Sequence, residues 1–222
     1  SIGDTLAALH GVIGVLMALR HREVNGGQGQ VVDVALYESV FNVMESLLPE
    51  YDAFGAVRGA AGSALPGIAP SNAYRCGDGA YVLIGGNGDG IFKRLMRAIG
   101  RADLADDPGL ARNDGRVARV AEIDAAIEAW TRQRSIDAAL AALDAAAVPA
   151  GRIYTVADIA ADPQYLARGM IAQTQDAHGR PLKVPGIVPK LAATPGRLRS
   201  PAPRLGEHTE QVLGAAGWPV RE

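Results

Sequence analysis

The first apolar stretch of the chain predicts a helix that is apolar on nearly every side. The helix is expected to begin at Asp4, whose short carboxylate can accept hydrogen bonds from the free N–H groups of the first turn, and to run to about Glu23. Its most apolar part, residues 12–19, is shorter than the roughly 20 apolar residues needed to cross a bilayer. Helices of this kind are enclosed by other protein, so we expect a buried helix that another part of the protein covers.

A glycine-rich turn separates this helix from a second helical pattern. Residues 25–29 tolerate positive φ, and residues 30–34 have the composition of a strand. The next apolar residues recur at helical spacing until Pro49. They are Val40, Phe41, Met44, Leu47 and Leu48. The order helix, strand, helix predicts part of an α/β domain.

A second unit is expected after residues 55–70, which are rich in Gly, Ala and Pro and have little periodicity, as in a linker. Two strand-like runs, 72–76 and 81–85, flank Gly77-Asp78-Gly79, and Asp-Gly between such runs predicts a hairpin. This pattern opens an α+β unit. Its helices are expected at 91–99 with a stop at Gly100, at 117–133, and after a cap at Ser135.

The last part of the chain predicts short helices and edge strands. Thr155 and Asp162 have the sequence context of helix caps. Prolines at intervals over residues 181–203 exclude a long central strand and favour edge strands or a linker. A final amphipathic helix is expected at about 207–216.

Composition narrows the functional class. The 222 residues are 48% hydrophobic and 21% charged, as in a globular protein with a core, and the net charge of −2 gives no reason to expect nucleic acid or an anionic membrane as a partner. Cys76 is the only cysteine, so neither an intrachain disulfide nor a cysteine-based metal site can form. Since the start of the chain has no signal-peptide pattern, we expect a cytoplasmic protein. The chain begins at Ser1 on a helix-capping motif, so we also expect a fragment or a processed chain.

Asp4 is the first candidate for chemistry. An Asp at such a position is most often only a helix cap. The two roles are compatible, because a helix N-terminus stabilises an ionised carboxylate and keeps it available as a nucleophile. A carboxylate nucleophile serves where an acyl group must be held as an anhydride or ester.

Other polar motifs carry weaker signals. Residues 85–90, a glycine-rich turn between a strand and a helix, resemble a phosphate-binding turn but match neither nucleotide fingerprint, so a tight turn is the main expectation. The histidines have no metal-ligand spacing, and we expect no metal; His10 is expected in the core and His178 in a turn. Ser39 and Ser63 lack a nucleophile elbow, so the sequence does not support a serine hydrolase.

Several short motifs follow one another in a specific order and spacing. They are residues 2–4 (IGD), 27–38 (GQGQVVDVALYE), 70–75 (PSNAYR), 148–151 (VPAG), 162–164 (DPQ) and 205–209 (LGEHT). Together they resemble the family III CoA-transferases, the group of formyl-CoA and carnitine CoA-transferases that also includes the α-methylacyl-CoA racemases. The resemblance covers nearly the whole chain.

The resemblance implies that Asp4 is the acyl carrier of a ping-pong CoA-transferase. The substrates would be an acyl-CoA thioester and a carboxylic acid, with aspartyl anhydride and aspartyl-CoA thioester intermediates and no metal or redox cofactor. Gly62 and Gly67 would belong to a loop that covers the acyl site. The donor and acceptor acids stay open, and a dicarboxylate such as succinate is one hypothesis.

The resemblance also implies an α/β fold made of a large α/β domain and a small α+β domain, in an interlocked homodimer. Residues 1–54 would belong to the large domain, 55–70 to the linker, 71–150 to the small domain, and 151–222 to a segment that returns to the large domain. Relatives carry a long N-terminal segment before the Gly-Asp motif that makes most CoA contacts. We therefore expect this chain alone to bind CoA poorly.

Two alternatives to transfer stay open. One is an α-methylacyl-CoA racemase, in which Asp4 would act as an acid/base. The other is a non-catalytic binding or assembly fragment in which Asp4 only caps its helix.

Overall fold

The computed structural model describes residues 1–218, which form two compact units, Ser1–Gly62 and Ser63 onward. The boundary falls inside the predicted linker 55–70, which contains neither helix nor strand. The assignment of the units to a large and a small domain, with residues 151–222 returning to the large one, stays a prediction. Residues 219–222, the end of that return segment, lie outside the described residues.

The first unit begins with helix α1, Ile2–Val24. Ser1, and not Asp4, is its N-cap residue, so the predicted cap was wrong by three residues. The reason is visible in the backbone, because the N–H of Thr5 donates to the carbonyl oxygen of Ser1 at 3.1 Å and closes the first helical turn there. Asp4 therefore lies inside the first turn of α1.

No strand forms at residues 30–34, so this prediction was also wrong. A strand needs a neighbour for its backbone N–H and C=O groups, and the described part of the first unit contains no strand that could pair with it. The segment lies against α1 instead. A Cβ at Gly14 would stand 2.7 Å from Cγ1 of Val32, so only glycine lets the two approach.

The second predicted helix is interrupted. Two helices form in its place, α2 at Leu36–Asn42 and α3 at Leu47–Phe54. In the connection between them Glu45 has a φ of 53°, a left-handed conformation that a continuous helix cannot contain. Pro49 does not end α3; it lies in the first turn, where its missing N–H has no helical partner to lose.

Helix α1 has no buried residue. The expected burial is therefore not provided by the residues that the structure describes. By length and composition the whole of α1 could also cross a membrane, which residues 12–19 alone could not. One such helix is weak evidence, because the core helix of a soluble protein passes the same test. The apolar surface of α1 is thus exposed among the described residues.

The second unit is built on a three-stranded antiparallel sheet. Its strands are β1 at Ser71–Arg75, β2 at Tyr81–Gly85 and β3 at Ala150–Arg152, with β2 in the middle. The predicted hairpin between the first two strands is confirmed. At its turn the N–H of Gly79 donates to the carbonyl oxygen of Cys76 at 3.1 Å, and Gly79 has the positive φ that the turn requires.

Helices between β2 and β3 supply the core of the second unit. They are α4 (Asp89–Ala98), α5 (Ala102–Ala105), a 3₁₀ turn (Pro108–Leu110), α6 (Asn113–Ala118), α7 (Val120–Thr131) and α8 (Ile136–Ala145). The predicted helix 117–133 is thus divided at Arg119. The predicted stop at Gly100 and the cap at Ser135 are confirmed, since Gly100 has a φ of 79° and Ser135 Oγ accepts from the N–H of Ala138 at 3.3 Å.

Alternate residues of β2 point into this core. Val82 and Ile84 are fully buried there with apolar residues of the helices. Those residues are Phe92, Leu95 and Met96 of α4, Ile123 and Ile127 of α7, and Ala139 and Leu143 of α8. The inward-facing residues of the strand, which recur every two positions, pack with the apolar residues of α4 and α7, which recur at helical spacing, in one apolar cluster.

The remaining elements confirm the predicted caps and edge strands. They are α9 (Val156–Ala161), α10 (Pro163–Ala167), β4 (Ile171–Gln175), β5 (Pro181–Pro185) and α11 (Thr209–Ala215). Thr155 and Asp162 accept hydrogen bonds from the first turns of α9 and α10. The last two strands form a separate antiparallel hairpin, and His178 lies in its turn as predicted.

Candidate active site

Asp4 lies in the first turn of a 23-residue helix, and its side chain is exposed. Among the described residues it has no ion-pair or hydrogen-bond partner. The aligned peptide dipoles of α1 place positive partial charge beside the carboxylate. Its oxygens are therefore exposed and unpaired among the described residues.

The residues around this turn leave the carboxylate open. A Cβ at Gly3 would lie 3.5 Å from Cγ2 of Val40, an ordinary contact that shows how closely α2 passes the start of α1. His10 is only half-buried, so its prediction as a core residue was wrong for this unit. Its Nδ1 lies 2.9 Å from the carbonyl oxygen of Leu6, one turn earlier in α1. This local hydrogen bond gives one of the two ring nitrogens a partner.

The beginning of the linker is fastened to the first unit. Arg58 Nε donates to Glu50 Oε2 at 2.7 Å, and its Nη2 donates to Ser46 Oγ at 3.0 Å. The hydrogen bond from Arg58 lowers the pKa of Glu50, so the Glu50 carboxyl stays ionised near neutral pH. Within the described residues no hydrogen bond involves residues 59–62 of the linker.

Gly62 and Gly67 are glycines for a conformational reason. Their φ angles are 62° and 78°, in the left-handed region that other residues avoid. At both positions a Cβ would meet no atom within 4 Å. Gly62 belongs to the first unit with Asp4, and Gly67 to the second. Both present open backbone that a bound molecule could contact.

The glycine-rich turn at 85–90 is explained by packing. A Cβ at Gly86 would lie 2.6 Å from Leu95 Cδ2 and 2.9 Å from Pro70 Cγ. The carbonyl oxygen of Asn87 accepts from Arg116 Nη2 at 2.7 Å, so protein groups already occupy the inside of the turn. This geometry favours the tight strand-to-helix turn over a phosphate site.

No group of His, Cys, Asp and Glu side chains within residues 1–218 has the geometry of a metal site. The thiol of Cys76 is buried, and this burial raises its pKa, which keeps the thiol protonated and unreactive. The described acidic and basic side chains of the second unit pair mainly with one another. Asp4 differs from other exposed carboxylates, such as Asp52 and Asp114, by its place in the Gly-Asp motif at the start of α1.

Sequence reasoning missed two polar residues of α6, Asn113 and Arg116. Both bond to backbone groups of the segment that contains Gly67, across more than 40 positions of sequence, and no local motif predicts such contacts. A buried arginine within a polar, Gly-containing stretch has no distinguishing pattern. Only the folded second unit brings these groups together.

A family model decides the relationship of this chain to known proteins. The model of CoA-transferase family III matches residues 1–209. The chain belongs to this family. The resemblance read from the short motifs is thereby confirmed, and the matched segment begins before Asp4 and includes Gly62 and Gly67.

Relatives of this family III chain are similar over nearly all of its length. A succinyl-CoA–D-citramalate CoA-transferase of Chloroflexus aurantiacus is 43% identical over 213 residues, which are 96% of this chain and 53% of that protein. A succinate–glutarate CoA-transferase of Agrobacterium fabrum is 33% identical over 96% of this chain and 53% of that protein. The chain thus spans about half the length of the curated relatives it matches.

A solved structure supports the fold. A CAIB/BAIF family protein from Brucella suis matches with a TM-score of 0.77 and 34% identity, over 96% of this chain and 55% of that one. The predicted fold class, an α/β protein of the family III CoA-transferase type, is confirmed by this match and by the family model.

Proposed function

We propose that Asp4 is the acyl-carrying nucleophile of a CoA-transferase that moves CoA between an acyl-CoA donor and a carboxylic acid acceptor. One observation carries the proposal: in a family III chain, the carboxylate of Asp4 is exposed at the start of α1 and has no partner among the described residues. A carboxylate held there can attack an activated acyl carbon without first breaking a bond to the protein.

The first half-reaction forms two covalent intermediates in turn. A carboxylate oxygen of Asp4 attacks the thioester carbonyl, the C–S bond breaks, and CoA leaves as thiolate while the acyl group stays on Asp4 as a mixed anhydride. The thiolate then attacks the side-chain carbonyl carbon of Asp4. The donor acid leaves as a carboxylate, and Asp4 carries CoA as a thioester.

The second half-reaction reverses these steps with the acceptor. The acceptor carboxylate attacks the aspartyl carbonyl and expels CoA thiolate, which forms a new mixed anhydride. The thiolate attacks the acceptor carbonyl, and the new acyl-CoA and the free Asp4 carboxylate are released. Each step exchanges one activated acyl group for another, so the sequence needs no oxidant and no external energy source.

We assign a covering role to the segment that contains Gly62 and Gly67. Its support is the left-handed backbone of both glycines and the open space beside them. A close-fitting backbone segment would exclude water from the anhydride and the thioester, both of which water can hydrolyse.

The names of the relatives suggest the substrate class. One name pairs succinyl-CoA with D-citramalate, and another pairs succinate with glutarate. Succinate, citramalate and glutarate are all short dicarboxylic acids. We therefore propose a short dicarboxylic acid as the acyl donor, the acceptor, or both. The test uses a polypeptide that contains this chain and has the full length of the curated relatives, here called the family-length protein. It is screened with succinyl-, glutaryl- and monocarboxylic acyl-CoA donors, and exclusive use of monocarboxylic donors would contradict the assignment.

The apolar surface of α1 suggests how this chain works with the rest of a family-length protein. Ile13, Leu16 and Met17 are all exposed here, and an apolar surface of this extent is stable only when it is covered. We propose that a further segment of a family-length polypeptide covers it within an interlocked homodimer. The isolated 222-residue chain is then expected to bind CoA poorly; tight CoA binding by that chain alone would contradict this proposal.

The nucleophile can be tested by trapping it in the family-length protein. Incubation with succinyl-CoA and then hydroxylamine should leave a hydroxamate on the peptide that contains Asp4, because hydroxylamine attacks both the anhydride and the thioester. Asp4→Asn should remove the adduct and lower the rate of transfer by at least about 1,000-fold. Asp52→Asn, a matched change of an exposed carboxylate in the same unit, should leave both unchanged.

The two alternatives give different results in the same protein. Deuterium exchange at Cα of a 2-methylacyl-CoA, without any adduct on Asp4, would indicate a racemase in which Asp4 is an acid/base. Transfer that persists in Asp4→Asn would show that Asp4 has only a structural role. Either result would overturn the proposed mechanism.

A further inference from the structure

The last hairpin, formed by β4 and β5, is a two-stranded sheet of its own. Two hydrogen bonds show which residues of β4 face β5. The N–H of Gly186 donates to the carbonyl oxygen of Met170 at 2.8 Å, and the N–H of Asp176 donates to the carbonyl oxygen of Arg180 at 2.9 Å. Because hydrogen-bonded residues alternate along an antiparallel strand, the even-numbered residues of β4 bond to β5. The backbone groups of the odd-numbered residues therefore point away from the hairpin.

These outward-facing groups make the outer edge of β4 an open edge. The N–H groups of Ile171, Gln173 and Gln175 have no hydrogen-bond acceptor among the described residues, and their carbonyl oxygens have no donor there. The side chains of both glutamines are exposed. A row of unpaired backbone groups along an edge strand is a template for pairing with another strand.

The outer edge of β5 is blocked. By the same alternation its outward-facing residues are Pro181, Lys183 and Pro185. The two prolines have no N–H, and Lys183 places an exposed charge between them. Proline and lysine are the residues that prevent pairing at the edge of a sheet. Strand β4 contains neither proline nor a charged residue, so only its edge is suited to accept a further strand.

The sequence of β4 fits an identical strand. With a two-fold axis at Gln173, antiparallel pairing places Gln173 opposite its own copy and Ile171 opposite Gln175. Every outward-facing N–H and C=O of the strand then has a partner. Two facing glutamine amides can each donate and accept, and no like charges meet across the pair, which would be destabilising.

We propose that β4 pairs antiparallel with β4 of a second copy of this chain, about a two-fold axis at Gln173. The pairing joins the two hairpins into one continuous sheet. It stabilises both hairpins, because an isolated two-stranded sheet is only marginally stable in water. The contact involves the second unit alone and does not depend on the chemistry of Asp4, so the failure of either proposal leaves the other standing.

A cysteine on the two-fold axis tests the identity of the partner in the family-length protein. Facing residues of a hydrogen-bonded antiparallel pair have Cα atoms about 5.5 Å apart, and a disulfide spans about 4.4–6.8 Å. Under mild oxidation, Gln173→Cys should therefore convert most of the protein into a disulfide-linked dimer. Lys183→Cys is the matched control, because Lys183 is also exposed and lies directly opposite Gln173 within the hairpin, on the blocked edge. It should form no more dimer than the unmodified protein, whose Cys76 is buried.

Hydrogen exchange of the amides of β4, followed by mass spectrometry, tests whether the edge is covered. Exchange should be slow at every amide of the strand, and not only at the even-numbered ones that bond to β5. Gln173→Pro removes the central outward-facing N–H and should speed exchange at Ile171 and Gln175 at least about tenfold. The even-numbered amides should stay slow, since an edge strand tolerates proline. Lys183→Pro, the same change on the other edge, should leave exchange in β4 unchanged.

The two measurements separate the possible outcomes. Fast exchange at the odd-numbered amides of β4 in the unmodified protein would show that the edge is free and would overturn the proposal. Slow exchange at every amide without cross-linking of Gln173→Cys would show that a different strand covers the edge, which overturns pairing with a second copy. Equal cross-linking of the two cysteine variants would also contradict the proposal. If Gln173→Pro melts the hairpin, the even-numbered amides become fast as well, and the cross-link then decides alone.

Discussion

Arg116 donates a 2.9 Å hydrogen bond from Nη2 to Oδ1 of Asp89, and the pair joins a buried cation to a partly exposed anion. Asp89 also accepts from Arg112 Nη1 at 2.8 Å. The buried guanidinium needs a negative partner, because an isolated charge in the core would be strongly destabilising. The first residue of α4 is thus tied to α6, the helix that carries Asn113.

This pair predicts a pH dependence of stability. The hydrogen bond from Arg116 lowers the pKa of Asp89 below its ordinary value. A carboxyl whose folded pKa is lowered stabilises the fold above its unfolded pKa, and this contribution is lost as the pH falls through the folded pKa. The free energy of unfolding should therefore decrease as the pH falls below about 4.

Urea unfolding of the family-length protein at pH 7 and pH 3 checks this effect. Asp89→Asn should be less stable at pH 7 and should lose less stability on acidification than the unmodified protein. Part of the dependence should remain, because arginine partners also lower the pKa of Asp103 and Asp107. Asp114→Asn serves as the control, and equal pH dependence in all the proteins would contradict the role assigned to the pair.

Tyr74 and Asp124 predict a second stability effect. The buried hydroxyl of Tyr74 donates to Asp124 Oδ1 at 2.6 Å, and Asn72 Nδ2 donates to Asp124 Oδ2 at 3.2 Å. Tyr74→Phe should lower the free energy of unfolding by about 2 kcal/mol, since a hydrogen bond to a charged group is lost. Tyr81→Phe, on an exposed tyrosine of β2, should change it by less than about 0.5 kcal/mol. Equal effects of the two changes in urea unfolding would contradict the account.

Two glycines in helices should respond oppositely to alanine. Gly115→Ala forces a Cβ into the carbonyl oxygen of Gly109 and should cost about 1–3 kcal/mol or more. Gly214→Ala in α11 meets no atom within 4 Å, and it should stabilise that helix by up to about 1 kcal/mol through the better helix propensity of alanine. Thermal unfolding of both variants tests the close packing of α6, and a neutral Gly115→Ala would disprove it.

The elements that depend on local chemistry could be predicted from the sequence. The hairpin at Gly77-Asp78-Gly79, the caps Ser135, Thr155 and Asp162, and the stop at Gly100 all form as expected. In each of these a side chain or a glycine acts on residues within a few positions of itself. Such effects are visible in a short window of sequence.

The errors have a different physical origin. Residues 30–34 have strand composition, but pairing requires a neighbouring strand, which no local pattern supplies. The break near Glu45 and the start of α1 at Ile2 depend on backbone geometry that several residue types allow. Asn113 was missed because its partners Gly67 and Ala69 are distant in sequence.

The sequence predicts Asp4 as the nucleophile because the Gly-Asp motif opens an apolar helix within a series of family motifs, and this role stays a prediction. Its environment could not be predicted. Asp4 was expected to cap α1, whereas the structure places it inside the first turn with a free, exposed carboxylate. Asp4→Asn removes no hydrogen bond seen among the described residues, so a loss of activity in this variant would not come from a lost helix cap.

The most direct measurement of the central claim follows oxygen through the reaction in the family-length protein. An acceptor acid labelled with oxygen-18 in its carboxylate attacks the aspartyl carbonyl, and the later attack of CoA on the acceptor carbonyl leaves one labelled oxygen on Asp4. Mass spectrometry of the peptide that contains Asp4, after a single turnover in unlabelled water, should show one oxygen-18 atom in its carboxyl group. Transfer of CoA to the labelled acceptor with no label on Asp4 would contradict the account.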